Sequence, residues 1–189
     1  MDNKRIILGS KSPRRQSLIK ELGYPVEVRT KEVEEIYPKD LDPTAVPEYL
    51  AVLKAQPLIH DLAANDLLVT SDTIVLLDNE VIGKPNSTEG ARNMLHKLSG
   101  RVHKVITGVC LTSRDKQHTF SVVTSVSFSE LTSSDISHYV STYSPMDKAG
   151  SYAIQEWIGF IGISKIDGCY YNVMGLPLHD LRKEILAHF

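Results

Sequence analysis

The sequence has little of what would mark a special class of protein. Its 189 residues include two cysteines and one tryptophan, and the formal net charge is only -2. Two cysteines are too few for a disulfide scaffold, and near-neutral charge argues against a general nucleic-acid or membrane-surface binder. No apolar run approaches the ~18 residues that a membrane span needs, and residues 1–10 contain no signal-peptide core. We therefore expect a cytoplasmic protein that binds neither nucleic acid nor membrane.

Two kinds of motif are also missing. Neither Cys110 nor Cys169 belongs to a Cys-x-x-Cys motif or lies near a histidine at ligand spacing, which argues against a zinc site. Both cysteines are expected to be reduced and half-buried in strands. No Gly-x4-Gly-Lys-Ser/Thr motif occurs, so the phosphate-binding loop of P-loop kinases and NTPases is absent from the sequence.

The composition is that of an ordinary globular domain, with 42% hydrophobic and 23% charged residues. Helix and strand patterns alternate along the chain, which predicts one α/β domain over residues 1–189. Helices are expected to begin near Ser12, Asp42, Asn86, Ser134 and Leu178. Strands are predicted at 5–8, 26–29, 67–77, 80–82, 102–111 and 118–128, followed by a hairpin of 161–166 and 169–173.

The connection between the first strand and the first helix carries unusual charge. Ser12 and Pro13 are typical of a helix N-cap and first position. Arg14 and Arg15 then fall in the first turn, where the positive end of the helix dipole disfavours cations. A bound phosphate would remove this conflict and would suit backbone N–H groups, guanidinium forks and the Ser10 hydroxyl. We favour this interpretation over a solvated basic turn.

Asp72 is the second unusual position, because it lies inside the apolar run Leu67–Leu77. Alternation places it on the strand face that also carries Thr70 and Ile74. A carboxylate there is costly unless it is hydrogen-bonded, ion-paired or metal-bound. Such a group could hold a metal ion or take a proton from water. An aspartate at a strand end that caps a neighbouring loop is an equally good interpretation.

Two lysines are candidates for phosphate contacts. Lys84 lies between Gly83 and Pro85, where a stiff turn could present it to a phosphate as a point charge. An ordinary surface lysine in a turn is the more common arrangement. Lys54, four residues after Leu50, could point toward the core side of its helix, where it needs an acidic or phosphate partner. Snorkelling toward solvent is the default explanation for such a lysine.

Two further positions offer polar side chains. Gln155 ends the polar loop 147–155 and carries both a donor and an acceptor, which suits recognition of a base edge. A plain connecting loop is the alternative interpretation. Glu34 and Glu35 lie in the acidic loop 30–42 and offer carboxylate ligands, although a solvated charge run is the better general interpretation.

Taken in order, these segments resemble the Maf family of nucleoside triphosphate pyrophosphatases, and the match spans nearly the whole chain. The matching segments are Leu8–Arg15, Ser71–Val75, Gly83–Pro85, Leu98–Gly100, Asp147–Gln155 and Gly175–Pro177. The resemblance implies a mixed α/β fold, with a twisted sheet, helices and two lobes around a deep cleft, similar to the inosine triphosphate pyrophosphatases.

The resemblance also implies an activity, the hydrolysis of a nucleoside triphosphate to the monophosphate and pyrophosphate. Asp72 matches the catalytic proton acceptor and Glu35 the second acidic position. The implied substrate-binding residues are Ser10, Arg14, Arg15, Lys54, Thr73, Lys84 and Gln155. The segment 148–155 matches the loop of the subfamily that acts on dTTP and UTP, in which Arg14, Thr73 and Gln155 occupy the specificity positions.

A divalent metal ion, Mg²⁺ or Mn²⁺, is the expected cofactor, with Asp72 and Glu35 as its metal-binding residues. The expected partner is the nucleoside triphosphate substrate, and the resemblance suggests a homodimer. Two alternatives stay open, namely a non-catalytic nucleotide-binding regulator of cell division and a pyrophosphatase with the 7-methyl-GTP preference of the sister subfamily. Gly9 replaces the alanine usual in the family, a change expected to be harmless, and Glu156 stands where glycine is frequent.

Overall fold

The computed structural model describes residues 4–189, which form a mixed α/β fold around a seven-stranded sheet. The strands are β1 Arg5–Leu8, β2 Val26–Val28, β3 Asp66–Leu77, β4 Glu80–Ile82, β5 Val102–Thr112, β6 Gln117–Phe128 and β7 Ile163–Asp167. The helices are α1 Pro13–Lys20, α2 Val46–Ala55, α3 Thr88–Leu98, α4 Ser133–Tyr143, α5 Trp157–Gly162, α6 Tyr170–Val173 and α7 Leu178–His188, with short 3-10 segments at Gln56–Asp61 and Ala149–Ser151.

The strand order in the sheet is β2-β1-β3-β5-β6-β7, and β4 pairs with β3 outside this path. Strand β1 lies between β2 and β3 and is parallel to both, whereas the pairs β3–β4 and β6–β7 are antiparallel. In the parallel pair β1–β3, Leu8 lies opposite Val69, and the Gly9 N–H donates to the Val69 carbonyl at 2.9 Å. The loop after β1 therefore starts beside the strand segment that leads to Asp72.

The described chain separates into two compact units. The first takes in the chain up to Asp72 together with Thr107–Val122 and Gly175–Phe189, and the second consists of Thr73–Ile106 and Val123–Met174. Strands β3, β5 and β6 each contribute residues to both units. The two lobes implied by the resemblance correspond to this division.

Each unit has its own hydrophobic core. In the first unit, Ile7 of β1 and Leu68 of β3 pack with Ala51 and Ala55 of α2. In the second unit, Leu95 of α3 and the fully buried Tyr139 of α4 belong to one cluster with side chains of β3, β4, β5 and β6. Burial of such apolar side chains contributes roughly 25 cal/mol per Å² to folding.

Most predicted elements are confirmed within a few residues. Helix α1 starts as predicted, with Ser12 as N-cap and Pro13 in the first turn. The tight turn between β3 and β4 is formed by Asp78 and Asn79, which both have positive φ angles, 48° and 69°. Pro57 lies in the 3-10 segment that follows α2. No helix among residues 4–189 has both the length and the apolarity that crossing a membrane requires.

The predicted hairpin of 161–166 and 169–173 is wrong. Strand β7 pairs with β6, and the second half of the predicted hairpin forms the short helix α6. The buried Asn172 explains the difference, because its side-chain amide donates to the Val105 carbonyl at 3.0 Å and to Thr124 Oγ1 at 2.9 Å. These side-chain contacts fix the segment without a strand ladder, and Cys169 consequently lies outside any strand.

Candidate active site

Asp72 lies in the middle of β3, with a side chain that is 12% exposed. The interpretation of an aspartate at a strand end is therefore wrong. A carboxylate at such a buried position requires compensation by a partner. The described structure supplies that partner from a helix that is distant in sequence.

Lys54 is that partner, and it reaches the carboxylate from α2. Its Nζ lies 2.5 Å from Asp72 Oδ1 and 3.0 Å from Glu35 Oε1. The Lys54 side chain is only 18% exposed, whereas Glu35, in the loop between β2 and α2, is 45% exposed. Lys54 does not snorkel into solvent, because one ammonium group bridges two carboxylates. We call these three residues the Lys54 triad.

Arg15 holds the main chain next to this triad. Its Nε donates to the Gly175 carbonyl and its Nη1 to the Ser71 carbonyl, both at 2.8 Å. Burial lowers the pKa of Arg15 below its usual value, while the negative charges of Asp72 and Glu35 act in the opposite direction. Because the residue after Ser71 is Asp72, the guanidinium fixes the strand backbone at the point where the carboxylate is presented.

The start of α1 adds further positive charge. The first turn contains no acidic residue, and the Ser12 side chain makes no capping hydrogen bond. Ser10 is buried, and its Oγ accepts a hydrogen bond from the Ser12 N–H at 3.2 Å. Arg14 is half-buried in this turn and close enough to Arg15 to lower the pKa of that residue further. Such a helix end is suited to an anionic ligand.

The Lys54 triad has a donor set that fits a divalent cation. Glu35 and Asp72 already share one cation, the Lys54 ammonium. Carboxylate oxygens are the ligands that Mg²⁺ prefers, usually one or two of them together with substrate phosphates. Glu35 and Asp72 could therefore hold a metal ion jointly with a phosphate ligand.

The remaining predicted site residues, Thr73, Lys84 and Gln155, belong to the second unit. Lys84 is exposed on the turn before α3, and the carbonyl of the preceding Gly83 accepts a hydrogen bond from Gly150 at 3.0 Å. The turn with Lys84 and the loop that ends at Gln155 are thus neighbours. Gly83 does not have a positive φ angle.

Gln155 is half-buried and has an unusual side-chain environment. Its Oε1 is buried and has no hydrogen-bond partner among residues 4–189. A buried acceptor without a partner is costly, at about 1–3 kcal/mol. A ligand with an N–H group at this position would remove that cost.

A polar network around Gln155 was missed by the sequence analysis. Lys148 is 8% exposed, and its Nζ lies 2.8 Å from Asp147 Oδ1 and 3.5 Å from Glu156 Oε1. The Tyr139 hydroxyl donates to Glu156 and accepts from the Ala153 N–H at 3.2 Å. The network thus anchors the chain on both sides of Gln155. In the sequence, the segment 147–155 pointed to this region, and the resemblance implied that Glu156 stands where glycine is frequent.

In the first unit, the described structure brings together Arg14, Arg15, Glu35, Lys54 and Asp72, and Ser10 lies at the start of the same helix turn. In the second unit, it brings the turn of Lys84 to the loop of Gln155. The first unit therefore presents a carboxylate pair beside several cations, an arrangement that suits proton transfer and the binding of phosphate oxygens.

Comparisons with known proteins agree on one family. A family model described as "Maf-like protein" matches residues 5–188. A protein of Phocaeicola vulgatus named dTTP/UTP pyrophosphatase is 50% identical over 186 residues, which cover 98% of this chain and 96% of the relative. A Flavobacterium psychrophilum protein of the same name is 49% identical over 187 residues, which cover 99% and 96%.

The solved structure of a HAM1 protein from Coxiella burnetii is also similar, with a TM-score of 0.53 over 97% of this chain and 99% of that one. At 14% identity this likeness supports the fold alone, and it agrees with the predicted mixed α/β architecture. The family model and the relatives extend over nearly the whole chain. This chain therefore belongs to the Maf family.

Proposed function

We propose that this chain hydrolyses nucleoside triphosphates to the monophosphate and pyrophosphate, with dTTP and UTP as its substrates. The names of relatives that are about half identical to it support this activity. Within the molecule, the observation that carries the proposal is the Lys54 triad, in which a buried carboxylate of β3 is held at 2.5 Å from an ammonium group. Arg15 fixes the adjacent backbone through Ser71.

The charged side chains of the first unit answer the main electrostatic need of this reaction. A triphosphate brings several negative charges, and more charge develops on the leaving pyrophosphate. Lys54 and Arg14 are proposed to bind phosphate oxygens, together with the Ser10 hydroxyl and the backbone at the start of α1. Arg15 contributes charge while its hydrogen bonds to backbone carbonyls keep it in place. We propose Lys84 and Thr73 as further substrate-binding residues.

Asp72 is proposed to take the proton of the attacking water. The water oxygen then bonds to phosphorus, and the anhydride bond between the α- and β-phosphates breaks. The bridging oxygen leaves with pyrophosphate, and Lys54 offsets the negative charge during this change. A correctly placed general base contributes about 10²–10⁴-fold to the rate of such a step.

Glu35 and Asp72 are the residues that we propose to hold a divalent metal ion. When bound, Mg²⁺ or Mn²⁺ would supply charge neutralisation at the phosphate oxygens. The sharing of one ammonium group by the two carboxylates supports this assignment.

The base preference is proposed to depend on Gln155. Thymine and uracil each carry an N–H group at ring position 3, and Gln155 Oε1 is a buried acceptor without a partner among the described residues. Cytosine has no hydrogen at that position. A site with a buried acceptor therefore favours dTTP and UTP over dCTP, because the cytosine complex leaves the acceptor unpaired.

Product analysis over a panel of triphosphates tests the proposal. The panel contains dTTP, UTP, dCTP, dATP, GTP and 7-methyl-GTP, each with and without Mg²⁺. Release of monophosphate and pyrophosphate in equal amounts, fastest with dTTP or UTP, is expected. Tight binding without turnover would instead support the nucleotide-binding regulator, and a preference for 7-methyl-GTP would support the sister subfamily. Release of inorganic phosphate would contradict cleavage between the α- and β-phosphates.

A further inference from the structure

A second group of potential ligands lies on a different part of the first unit. His118 of β6 meets Glu184 and His188 of α7, and the potential ligand atoms of the three side chains all lie within 4.8 Å of one another. None of them takes part in the Lys54 triad or in its contacts with Arg15. We call these three residues the histidine cluster.

The histidine cluster converges on one carboxylate oxygen. His118 Nε2 lies 2.8 Å from Glu184 Oε2, and His188 Nε2 lies 3.2 Å from the same oxygen. The two imidazole rings are 3.9 Å apart between centroids, and the His118 ring also stacks on Phe120. Glu184 and His188 are separated by four residues, so one helix face presents both. The group is thus held by packing as well as by hydrogen bonds.

This ligand set suits a first-row transition metal. Zn²⁺ binds imidazole nitrogen and carboxylate oxygen at about 2.0–2.2 Å, which places tetrahedral ligand atoms roughly 3.3–3.5 Å apart. The distance from His188 Nε2 to Glu184 Oε2, 3.2 Å, is already close to this range. The distance from His118 Nε2 to the same oxygen, 2.8 Å, is shorter by about half an ångström. The three side chains are 20–34% exposed, so an ion can reach them from solvent. Two imidazoles and one carboxylate favour Zn²⁺ over Mg²⁺, which prefers oxygen ligands alone.

The surrounding charges permit a cation here. The cluster includes the last residue of α7, where the negative end of the helix dipole favours positive charge. The nearby Lys116 donates from its Nζ to the His188 carbonyl at 2.9 Å and lies over the Phe189 ring, 5.2 Å from its centroid. Its ammonium group is therefore engaged with a backbone carbonyl and an aromatic face.

From this geometry we infer that His118, Glu184 and His188 bind a divalent transition metal ion, with Zn²⁺ as the best-suited ion, and so clamp α7 to β6. The two cysteines, Cys110 and Cys169, take no part in this cluster. The site is independent of the proposed pyrophosphatase activity, since its residues lie outside the catalytic machinery.

Calorimetric titration of the full, tag-free chain with Zn²⁺ tests the inference. The matched control is His179→Asn, which removes an exposed histidine of the same helix. Loss of one ligand in His118→Asn or Glu184→Gln should weaken Zn²⁺ binding by at least ~10-fold, whereas His179→Asn should bind like the wild type. Equal affinities in all four proteins would overturn the inference.

Two readouts on the wild-type chain protect the test against variants that fail to fold. The nitrogen signals of the His118 and His188 imidazoles should shift on addition of one equivalent of Zn²⁺, while that of His179 stays in place. At a free Zn²⁺ concentration 100 times Kd, the folding equilibrium constant should rise about 100-fold, which raises Tm by roughly 5–11 °C. Unshifted imidazole signals and an unchanged Tm would mean that the cluster is only a hydrogen-bonded network.

Discussion

Lys54 Nζ lies 2.5 Å from Asp72 Oδ1, so an ammonium group from α2 meets a carboxylate from the middle of β3. Both side chains are largely buried, at 18% and 12% exposure. Removal of one member of a buried ion pair leaves an uncompensated charge, whereas removal of both does not. This difference allows the pair to be tested by stability alone, without any assumption about catalysis.

The first prediction concerns this ion pair. Lys54→Met should lower the free energy of unfolding by about 1–3 kcal/mol, because Asp72 loses its nearest cation. The double variant Lys54→Met/Asp72→Asn should recover part of that loss. Denaturant unfolding of the two variants and of Lys20→Met, an exposed lysine on α1, measures the effect. Losses that simply add in the double variant would show that the two side chains are not coupled.

The second prediction concerns base preference. Gln155→Ala removes the buried acceptor and should lower the ratio of kcat/KM for dTTP to that for dCTP by at least ~10-fold, mostly through loss for dTTP. The two substrates control for each other, since a general loss of activity leaves the ratio unchanged. A ratio equal to that of the wild type would remove Gln155 from base recognition.

The third prediction concerns pH and the second unit. His103 is 1% exposed, and burial lowers its pKa from 6.5 to about 4. Between these values the unfolded chain is protonated at His103 and the folded chain is not, so the stability contributed by neutral His103 is lost as the pH falls from about 6.5 to 4. The loss amounts to about 3 kcal/mol.

Unfolding free energies measured across this pH range check the prediction. His103 Nε2 is paired with the Tyr152 hydroxyl at 2.6 Å, so the comparison variant is His103→Phe/Tyr152→Phe, which leaves no hydroxyl unpaired. This variant should show a flatter decline toward pH 4 than the wild type. Replacement of the exposed His60 by glutamine serves as the control for removing a histidine elsewhere in the chain. If the stability of the double variant falls toward pH 4 as steeply as that of the wild type, His103 is not the cause of the decline.

The fourth prediction concerns Gly9, the residue that directly follows β1. A Cβ atom at this position would lie 2.5 Å from Thr70 Cγ2 and 3.1 Å from Leu58 Cδ1. Gly9→Ala should therefore lower the free energy of unfolding by about 1–3 kcal/mol.

The matched variant for this test is Gly9→Ala/Thr70→Ser. Serine keeps the hydroxyl that donates to the Ala51 carbonyl at 2.7 Å, and it lacks the methyl group that would clash. Thermal unfolding should show that the added Thr70→Ser change restores most of the stability lost in Gly9→Ala. If Thr70→Ser restores no stability, the close approach of Gly9 to Thr70 is not the cause of the loss in Gly9→Ala.

Local sequence patterns predicted the parts of the fold that depend on local chemistry. The N-cap at Ser12 and the strands β3, β4 and β6 follow from dihedral preferences and hydrophobic periodicity. Helix α6 could not be predicted, because its conformation depends on hydrogen bonds from Asn172 to two distant strands.

The candidate active site, too, was only partly predictable from the sequence. The apolar neighbours of Asp72 indicated that it needs a partner, but only the folded chain identifies that partner as Lys54. Glu184 and His188 have a spacing that could have been noticed on α7, whereas nothing in the sequence connects them to His118. Contacts between residues far apart in the chain are set by topology, which a single sequence does not reveal.

The central claim is that Asp72 activates the water that splits the triphosphate. Steady-state hydrolysis of dTTP by Asp72→Asn, with Mg²⁺ present and the fold checked by circular dichroism, tests this claim most directly. We expect kcat to fall at least ~100-fold, the scale of a lost general base or metal ligand, while the spectrum stays that of the wild type. A folded Asp72→Asn protein with a kcat close to that of the wild type would contradict the proposed mechanism.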